Sequence, residues 1–260
     1  MPNHITNIIT IDGVSKERLS EILAAIRSDE VEIQQNSIDF NKVIPMPEEL
    51  KVESSSRSNQ ALKLYQKYLA ESQVITAKKQ ANSISESEYN DAINSLKESY
   101  EKLTEQDPGL LKLGEQLYDN IKKYGVADWY DWSIKNWGSK WNAYGFDDLP
   151  FHNGDNQIEF LTAWSSVPHI VKHLSHMFQD AEFNYKWADE DIGCNVGEHT
   201  WQNGGLTYEN IPQDHSAKAY EMASEIMGID LAEYGYRYSE KEQTYYYIDE
   251  MEPPLMGGFT

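Results

Sequence analysis

The order of apolar and polar residues predicts a strand followed by a helix at the start of the chain. Residues 3–12 alternate loosely and are rich in Ile and Thr, which is typical of a β-strand. Ser15 is a plausible helix cap, and apolar residues follow it at the three- and four-residue steps of an amphipathic helix. Residues 37–44 predict a second short strand. Together these elements predict the first half of a split β-α-β arrangement.

Residues 51–125 change to a helical period throughout. Apolar side chains at Tyr89, Ile93, Leu96, Tyr100 and Leu103 recur at helical steps. Pro108-Gly109 interrupts this pattern, which then resumes until a glycine at position 125. We interpret the segment as an insertion of about three helices. Two roles are open for it: packing on the sheet, or acting as an arm that contacts a partner.

From residue 126 onward the pattern predicts mainly strands. Two strands are expected at 140–146 and 157–164, and an amphipathic helix follows that has Pro168 in its first turn. Further elements are expected as strands at 181–191 and 195–209, a helix at 215–228 and an edge strand at 244–249. This order predicts an α+β fold. Residues 1–50 and 126–260 form the two halves of one core, and residues 51–125 are inserted between them. The second half of the core ends in an acidic C-terminal extension.

Charge changes this picture, because it is concentrated near the C-terminus. The formal net charge of the 260 residues is −21, and residues 182–260 contain 16 acidic and 4 basic residues, a balance of −12. Such a field repels phosphate backbones and attracts basic surfaces. Two interpretations are open: the negative charge only keeps the protein soluble, or the acidic surface binds a basic partner. The candidate residues of a partner-binding acidic surface are Asp189, Glu190, Asp191, Glu240, Glu242, Asp249, Glu250 and Glu252.

The sequence contains no apolar run of about 18 residues and no basic-then-apolar leader, so we expect a cytoplasmic protein without a membrane segment. Cys194 is the only cysteine, which excludes an intrachain disulfide and a cysteine-rich zinc site.

Tryptophans are dense between Trp129 and Trp164. The stretch WYDWSIKNWGSKWNAYGF at 129–146 resembles the signature of the YubB ferredoxin-like domain family, whose members occur mostly in bacteriophages, plasmids and other mobile elements. IEFLTAWSSVPHIVKHLSHMF and AEFNYKWADED follow in the order expected for that family, as do Gly193, Gly197 and Gly204. Ser139 departs from the pattern, where a threonine is expected. The resemblance implies a ferredoxin-like core, an antiparallel sheet with helices on one face, and supplies no catalytic residues.

Three groups of side chains are candidate sites: tryptophans, histidines and the single cysteine. Trp129, Trp132, Trp137, Trp141 and Trp164 are interpreted as a structural aromatic cluster, with base stacking as the alternative and Lys140 as a cation–π partner. His169, His173 and His176 share a helical face, but the first and last are two turns apart, about 10 Å, so the three cannot bind one ion together. A site of two histidines stays open as an alternative to polar residues on the rim of the helix. Cys194 has no basic neighbour within several residues apart from His199. We therefore predict no catalytic residues, no metal and no cofactor.

The leading functional hypothesis is an accessory protein of a phage or mobile element that is not an enzyme. It would bind a host protein with a basic nucleic-acid-binding surface, and inhibit a defence complex of the CRISPR or restriction type, without contacting nucleic acid or membrane. One alternative is a nucleic-acid-binding or regulatory ferredoxin-like module, which predicts exposed sheet aromatics beside basic residues. A further alternative is a metal-dependent hydrolase, which predicts carboxylates that converge in one pocket.

Overall fold

The computed structural model describes residues 2–29, 38–145 and 156–248. These divide into two compact units, one formed by 1–45 with 135–260 and the other by 46–134. We call them the sheet unit and the helical unit. The helices are α1 Lys16–Ile26, α2 Phe40–Val43, α3 Ser56–Gln80, α4 Glu86–Leu103, α5 Leu110–Tyr124, α6 Trp129–Asn136, α7 Pro168–Met177 and α8 Ala217–Met227, with a 3-10 turn at Glu48–Leu50. The strands are β1 His4–Asp12, β2 Gln157–Ala163, β3 Glu182–Asp189, β4 Gly197–Gln202, β5 Gly205–Asn210, β6 Tyr236–Ser239 and β7 Thr244–Tyr247.

Five strands form one antiparallel sheet in the order β2-β1-β3-β4-β5. β1 is central among the first three, and its residue Ile8 lies opposite Glu159 on β2 and Lys186 on β3. β6 and β7 form a separate two-stranded sheet, so the strand expected near residue 244 is part of a hairpin and not an edge of the main sheet. The predicted α+β class is confirmed.

One face of the main sheet forms the larger part of the core. Alternate β1 residues Ile5, Ile9 and Ile11 are fully buried there, as the period of two predicts. α7 contacts β3 and β4 on this face, where the Val167 amide donates to the hydroxyl of Tyr185 at 2.8 Å. Pro168 occupies the first turn of α7 as predicted.

α8 packs on the opposite face of the sheet. Its buried residues Ala219 and Ala223 form a cluster with Ala188 of β3, and Ile8 of β1 packs against that cluster. The expectation of helices on one face therefore describes α7, whereas α8 is added on the other side. Gly228 ends α8 in the left-handed conformation, with φ 64°, as its position in the sequence suggested.

Two predicted strands are wrong. In the described part of 37–44 the chain forms α2, because the Asp39 side chain accepts from the Asn41 amide and caps a helical turn. The Phe40 amide donates to Asn142 Oδ1 at 2.8 Å, a partner that is distant in sequence. In the described part of 140–146 there is a single bridge, between Tyr144 and Leu161, and no strand. The segments 38–44 and 140–145 contact each other through the bond between Phe40 and Asn142. Local β-propensity does not account for such contacts between residues that are distant in sequence.

In the helical unit, α3 and α5 approach closely at Gly114. A Cβ atom at this position would lie 2.1 Å from the carbonyl oxygen of Ala61, so only glycine fits. The ring of Tyr65 on α3 lies 5.9 Å from that of Tyr68 on the same helix and 5.7 Å from that of Tyr118 on α5, measured between centroids. The capping box at Ser85 and Glu88 begins α4.

No helix in the described ranges is both long enough and apolar enough to cross a membrane.

Candidate binding surface

Three segments of the sheet unit meet near the C-terminal end of β3. The His215 amide donates to the Gly193 carbonyl at 2.8 Å, and Thr244 Oγ1 donates to the His215 carbonyl at 2.5 Å. These bonds join the β3–β4 loop, the segment before α8, and β7. Gly193 has φ 93°, and a Cβ atom there would lie 2.5 Å from the ring of Tyr220. The close approach of loop and helix therefore requires glycine at this position.

The joined segments bring Cys194 beside an imidazole. Cys194 Sγ lies 3.4 Å from His215 Nε2, and the Tyr220 hydroxyl lies 3.4 Å from His215 Nδ1. Sequence reasoning missed this contact, because the β4–β5 hairpin separates the two residues by 21 positions. The histidine that it considered, His199, is on β4 and contacts Glu209 at 3.0 Å.

Electrostatics make this pair a poor nucleophile. Burial, followed by the charges of Asp191 and Asp214, raises the pKa of Cys194 to about 11. The thiolate is the reactive form of cysteine, and at neutral pH Cys194 is protonated. The arrangement resembles a nucleophile and a base in distance only.

Aromatic rings continue from Tyr220 into the segment 234–248, which we call the tyrosine hairpin. The Tyr220 ring centroid lies 5.3 Å from that of Tyr236 and 5.6 Å from that of Tyr245. Tyr238 contacts Tyr245 at 5.2 Å. A groove of about 440 Å³ lies between α8 and the hairpin. It is lined by Tyr236, Tyr238 and Tyr245 together with Glu221, Ser224, Asp230, Leu231, Ala232 and Arg237.

The tyrosine hairpin also exposes aromatic surface to solvent. Tyr234 and Tyr247 are 53% and 62% exposed. Tyr238 and Tyr246 are also exposed. Burial and, next, the charge of Glu221 raise the pKa of Tyr245, so this hydroxyl stays protonated and can donate a hydrogen bond.

The acidic residues predicted to bind a partner differ in their exposure to solvent. Glu190, Asp191, Glu240 and Glu242 are exposed, as a binding surface requires. Asp189 is not: it is 6% exposed, and its carboxylate accepts from Asn3 Nδ2 at 3.1 Å and from Asn195 Nδ2 at 3.0 Å. The adjacent chain covers Asp189, which the run of three acids in the sequence does not reveal. Asp249, Glu250 and Glu252 lie outside the described residues.

Most carboxylates of this part of the chain have no cationic partner. Within residues 182–248, Lys186 pairs with Glu225 at 2.8 Å. Lys218 Nζ instead donates to Asn210 Oδ1, and Arg237 Nη1 donates to backbone carbonyls. Glu209 also contacts His199, but that imidazole forms an ion pair only when it is protonated.

The helical unit has the opposite character. Arg57 pairs with both Asp107 and Glu53, at 2.7 and 3.0 Å, and Lys123 pairs with Glu49 at 2.8 Å. Its acidic residues are thus partly balanced within the unit, whereas residues 182–248 present unbalanced negative charge.

The five tryptophans divide between core and surface. Trp132 and Trp137 are buried, at 7% and 4% exposure. Trp129 is partly buried, while Trp141 and Trp164 are 39% and 53% exposed. Trp141 carries the expected cation–π contact, with Lys140 Nζ 4.6 Å from its ring centroid.

The two alternative functions, nucleic-acid binding and metal-dependent hydrolysis, each predict a geometry that can be compared with the structure. Base stacking needs open rings beside cations, and the sheet aromatics Tyr185 and Trp187 are buried, at 0% and 4% exposure. Tyr208 on β5 is 51% exposed, but its hydroxyl donates to the carboxylate of Glu198. In the ranges 2–29, 38–145 and 156–248 no three His, Cys, Asp or Glu side chains are grouped so that they could hold a metal ion.

Comparison with known proteins supports the fold. Residues 136–230 match the model of a family described as the ferredoxin-like domain in Api92-like proteins. With the antiparallel five-stranded sheet, this match confirms the predicted ferredoxin-like α+β fold. The family description names no reaction.

A crystal structure of the protein api92 from Yersinia pseudotuberculosis is similar to this chain at 14% identity and a TM-score of 0.38. The alignment covers 82% of this chain and 99% of that one. No curated protein matches the chain.

Proposed function

We propose that this protein binds a basic protein surface through its acidic tyrosine surface, which we define as Glu190, Asp191, Glu240 and Glu242 with the exposed residues Tyr234, Tyr238, Tyr246 and Tyr247. The observation that carries the proposal is the scarcity of cationic partners for the carboxylates of residues 182–248 in the described structure. Unbalanced charge repels itself within one molecule and attracts a partner of opposite sign.

The tyrosines add contact area of the kind that stabilises protein interfaces. Tyrosine is enriched among residues that dominate binding energy, because its ring is large and loses little conformational freedom. A surface with rings and carboxylates interleaved suits a partner that offers arginine and lysine, since cations bind both groups.

A groove that normally holds nucleic acid is a partner of this kind. We therefore propose that the protein occupies such a groove in a host defence complex, of the CRISPR or restriction type, and blocks it without catalysing a reaction. The tryptophan signature that resembles the YubB family supports an origin in a mobile element, and such a target would place the protein in the bacterial cytoplasm.

The test is inhibition of DNA cleavage by a purified CRISPR effector and by a purified restriction endonuclease. We expect at least one of them to be inhibited, and we expect inhibition to weaken as salt rises from ~0.05 to ~0.5 M. The variant Glu190→Gln, Asp191→Asn, Glu240→Gln, Glu242→Gln should bind that enzyme about tenfold or more weakly, because four exposed charge pairs at ~0.2–1 kcal/mol each are lost.

A matched control removes the same number of charges from the helical unit, at Asp91, Glu98, Glu105 and Asp119, which are exposed. This variant should inhibit like the unaltered protein. Equal loss in both variants would assign the effect to net charge alone, and inhibition that ignores both salt and the first variant would overturn the proposal.

A further inference from the structure

We propose that β5, residues Gly205–Asn210, accepts an extended cationic segment of the partner protein as a sixth strand of the main sheet. This inference deepens the proposed function and rests on it. β5 is the terminal strand of the order β2-β1-β3-β4-β5 and pairs with β4 on one side. A terminal strand offers backbone amide and carbonyl groups to an added strand.

The other terminal strand is partly occupied. Tyr144 exchanges two backbone hydrogen bonds with Leu161 of β2, at 3.0 and 2.8 Å. This contact covers the middle of the β2 edge. β5 is therefore the more open of the two edges in the described part of the sheet.

β5 lacks two common protections of a sheet edge, although its ladder with β4 contains a register shift between Thr200 and Trp201. Its sequence, GLTYEN, contains neither lysine nor proline, the residues that commonly prevent edge pairing. Its first five residues are exposed, and Leu206 and Tyr208 expose 44% and 51% of their surface. The nearby Ile211 exposes 56%. These side chains can contact alternate residues of an added strand.

The charges beside β5 select a cationic occupant. Glu198 of β4 accepts from the hydroxyl of Tyr208 at 3.1 Å and from Asn210 Nδ2 at 2.8 Å, both neutral donors. Lys186 lies opposite Glu198 in the β3–β4 register, but its ammonium group pairs with Glu225 at 2.8 Å. Glu209 contacts His199, and burial lowers the pKa of that imidazole, which keeps it neutral near pH 7. Lys218 contributes one cation, at the end of the strand.

A second copy of this chain is the other strand donor to consider. Each copy has a net charge of −21, and two such molecules repel each other. An extended segment that alternates lysine with apolar residues is attracted by the same charges, and it matches the exposed Leu206 and Tyr208.

The experiment is amide hydrogen exchange of the full chain with an eight-residue peptide that alternates lysine and valine. Residues 205–210 should exchange at least about tenfold more slowly with the peptide bound, because newly bonded amides exchange only after opening. The β2 segment 157–163 should be unchanged. A peptide of the same composition with alternating L and D residues keeps the charge but cannot form a regular ladder, so it should not protect β5.

Glu198→Gln should weaken protection by the peptide, while Glu233→Gln, which removes an exposed charge elsewhere in the sheet unit, should not. No protection of 205–210, equal protection by both peptides, or protection that rises with protein concentration in the absence of peptide would each overturn the inference.

Failure of the added strand and failure of the proposed function can be distinguished. Inhibition of the effector without β5 protection overturns the added strand alone. Protection of β5 that persists while the four-carboxylate variant inhibits normally overturns the acidic tyrosine surface.

Discussion

The thiol of Cys194 lies 3.4 Å from an imidazole nitrogen, yet the charges that affect its pKa most are the carboxylates of Asp191 and Asp214. Both carboxylates stabilise the protonated thiol relative to the thiolate. Distance to a histidine is therefore not enough to identify a catalytic cysteine. The sign of the local potential decides whether the sulfur can react.

We predict that Cys194 reacts slowly with iodoacetamide. A pKa of about 11 in place of the ordinary 9.0 lowers the thiolate population at pH 8, and hence the alkylation rate, by ~100-fold relative to a free thiol. The rate should rise as pH approaches 11, and mass spectrometry of the modified chain measures it.

Asp191→Asn should accelerate this alkylation, because it removes a charge that raises the pKa of Cys194. Glu240→Gln, which removes an exposed charge from the tyrosine hairpin, serves as the control. A native protein that is alkylated at pH 8 as fast as the same chain in urea would contradict the prediction.

The contacts of a residue with its neighbours in sequence could be predicted, whereas contacts between distant segments could not. Ser15 accepts from the amide three positions later, as its place before an apolar helix indicated. The contact between Cys194 and His215 and the burial of Asp189 both depend on how distant segments fold together. No spacing rule connects residues across the β4–β5 hairpin.

At the scale of elements, the contact between α3 and α5 depends on one missing side chain. Gly114 allows the two helix backbones to approach, and the atom that a Cβ would meet is the backbone carbonyl oxygen of Ala61. A flexible side chain could move aside, but a helix backbone cannot do so without a shift of the whole helix.

We predict that Gly114→Ala destabilises the protein by about 1–3 kcal/mol, as overpacking does, although alanine is the better helix former. Urea unfolding followed by circular dichroism measures the change. Gly109→Ala is the matched control in the same unit. Its φ is −91°, and an added Cβ would lie 3.5 Å from Arg57 Nη2, an ordinary contact. A Gly114→Ala variant as stable as Gly109→Ala would mean that α3 and α5 separate at no cost.

Elements with a clear period could be predicted, and elements fixed by distant partners could not. β1, β2 and β3 follow apolar alternation, and α3 to α5 follow helical spacing. The buried residues Ile38 and Phe40, at the start of the segment 38–44 that contains α2, are two positions apart, a spacing that fits a short strand. The side chains of Asp39 and Asn142 decide in favour of a helical turn.

At the scale of the whole molecule, positive and negative charges are distributed unequally between the two units. The helical unit contains ion pairs at several sites, whereas the described residues 182–248 contain many acids and few cations. Mutual repulsion among these carboxylates favours the unfolded chain, in which they are further apart.

We predict that salt stabilises the protein. Raising NaCl from ~0.02 to ~0.5 M screens the repulsion, and a gain of ~1 kcal/mol corresponds to a rise in Tm of about 2–4 °C for a chain of this size. Differential scanning calorimetry measures it. The variant without the carboxylates of Glu190, Asp191, Glu240 and Glu242 should gain less from salt, and the helical-unit control variant should gain as much as the unaltered chain. A Tm that falls with salt would show that ion pairs outweigh repulsion.

The indole of Trp137 donates to the carbonyl of Ile44 at 2.9 Å, and the rings of Phe40 and Trp137 are 5.8 Å apart. Both partners belong to the sheet unit, one just before the helical unit in the chain and one just after it. The two chain ends that flank the helical unit are therefore already held together. A single in-frame insertion, deletion or replacement in the gene can therefore lengthen, shorten or exchange the segment between these ends. The same position is a natural place to splice a fluorescent protein or an affinity module into this molecule.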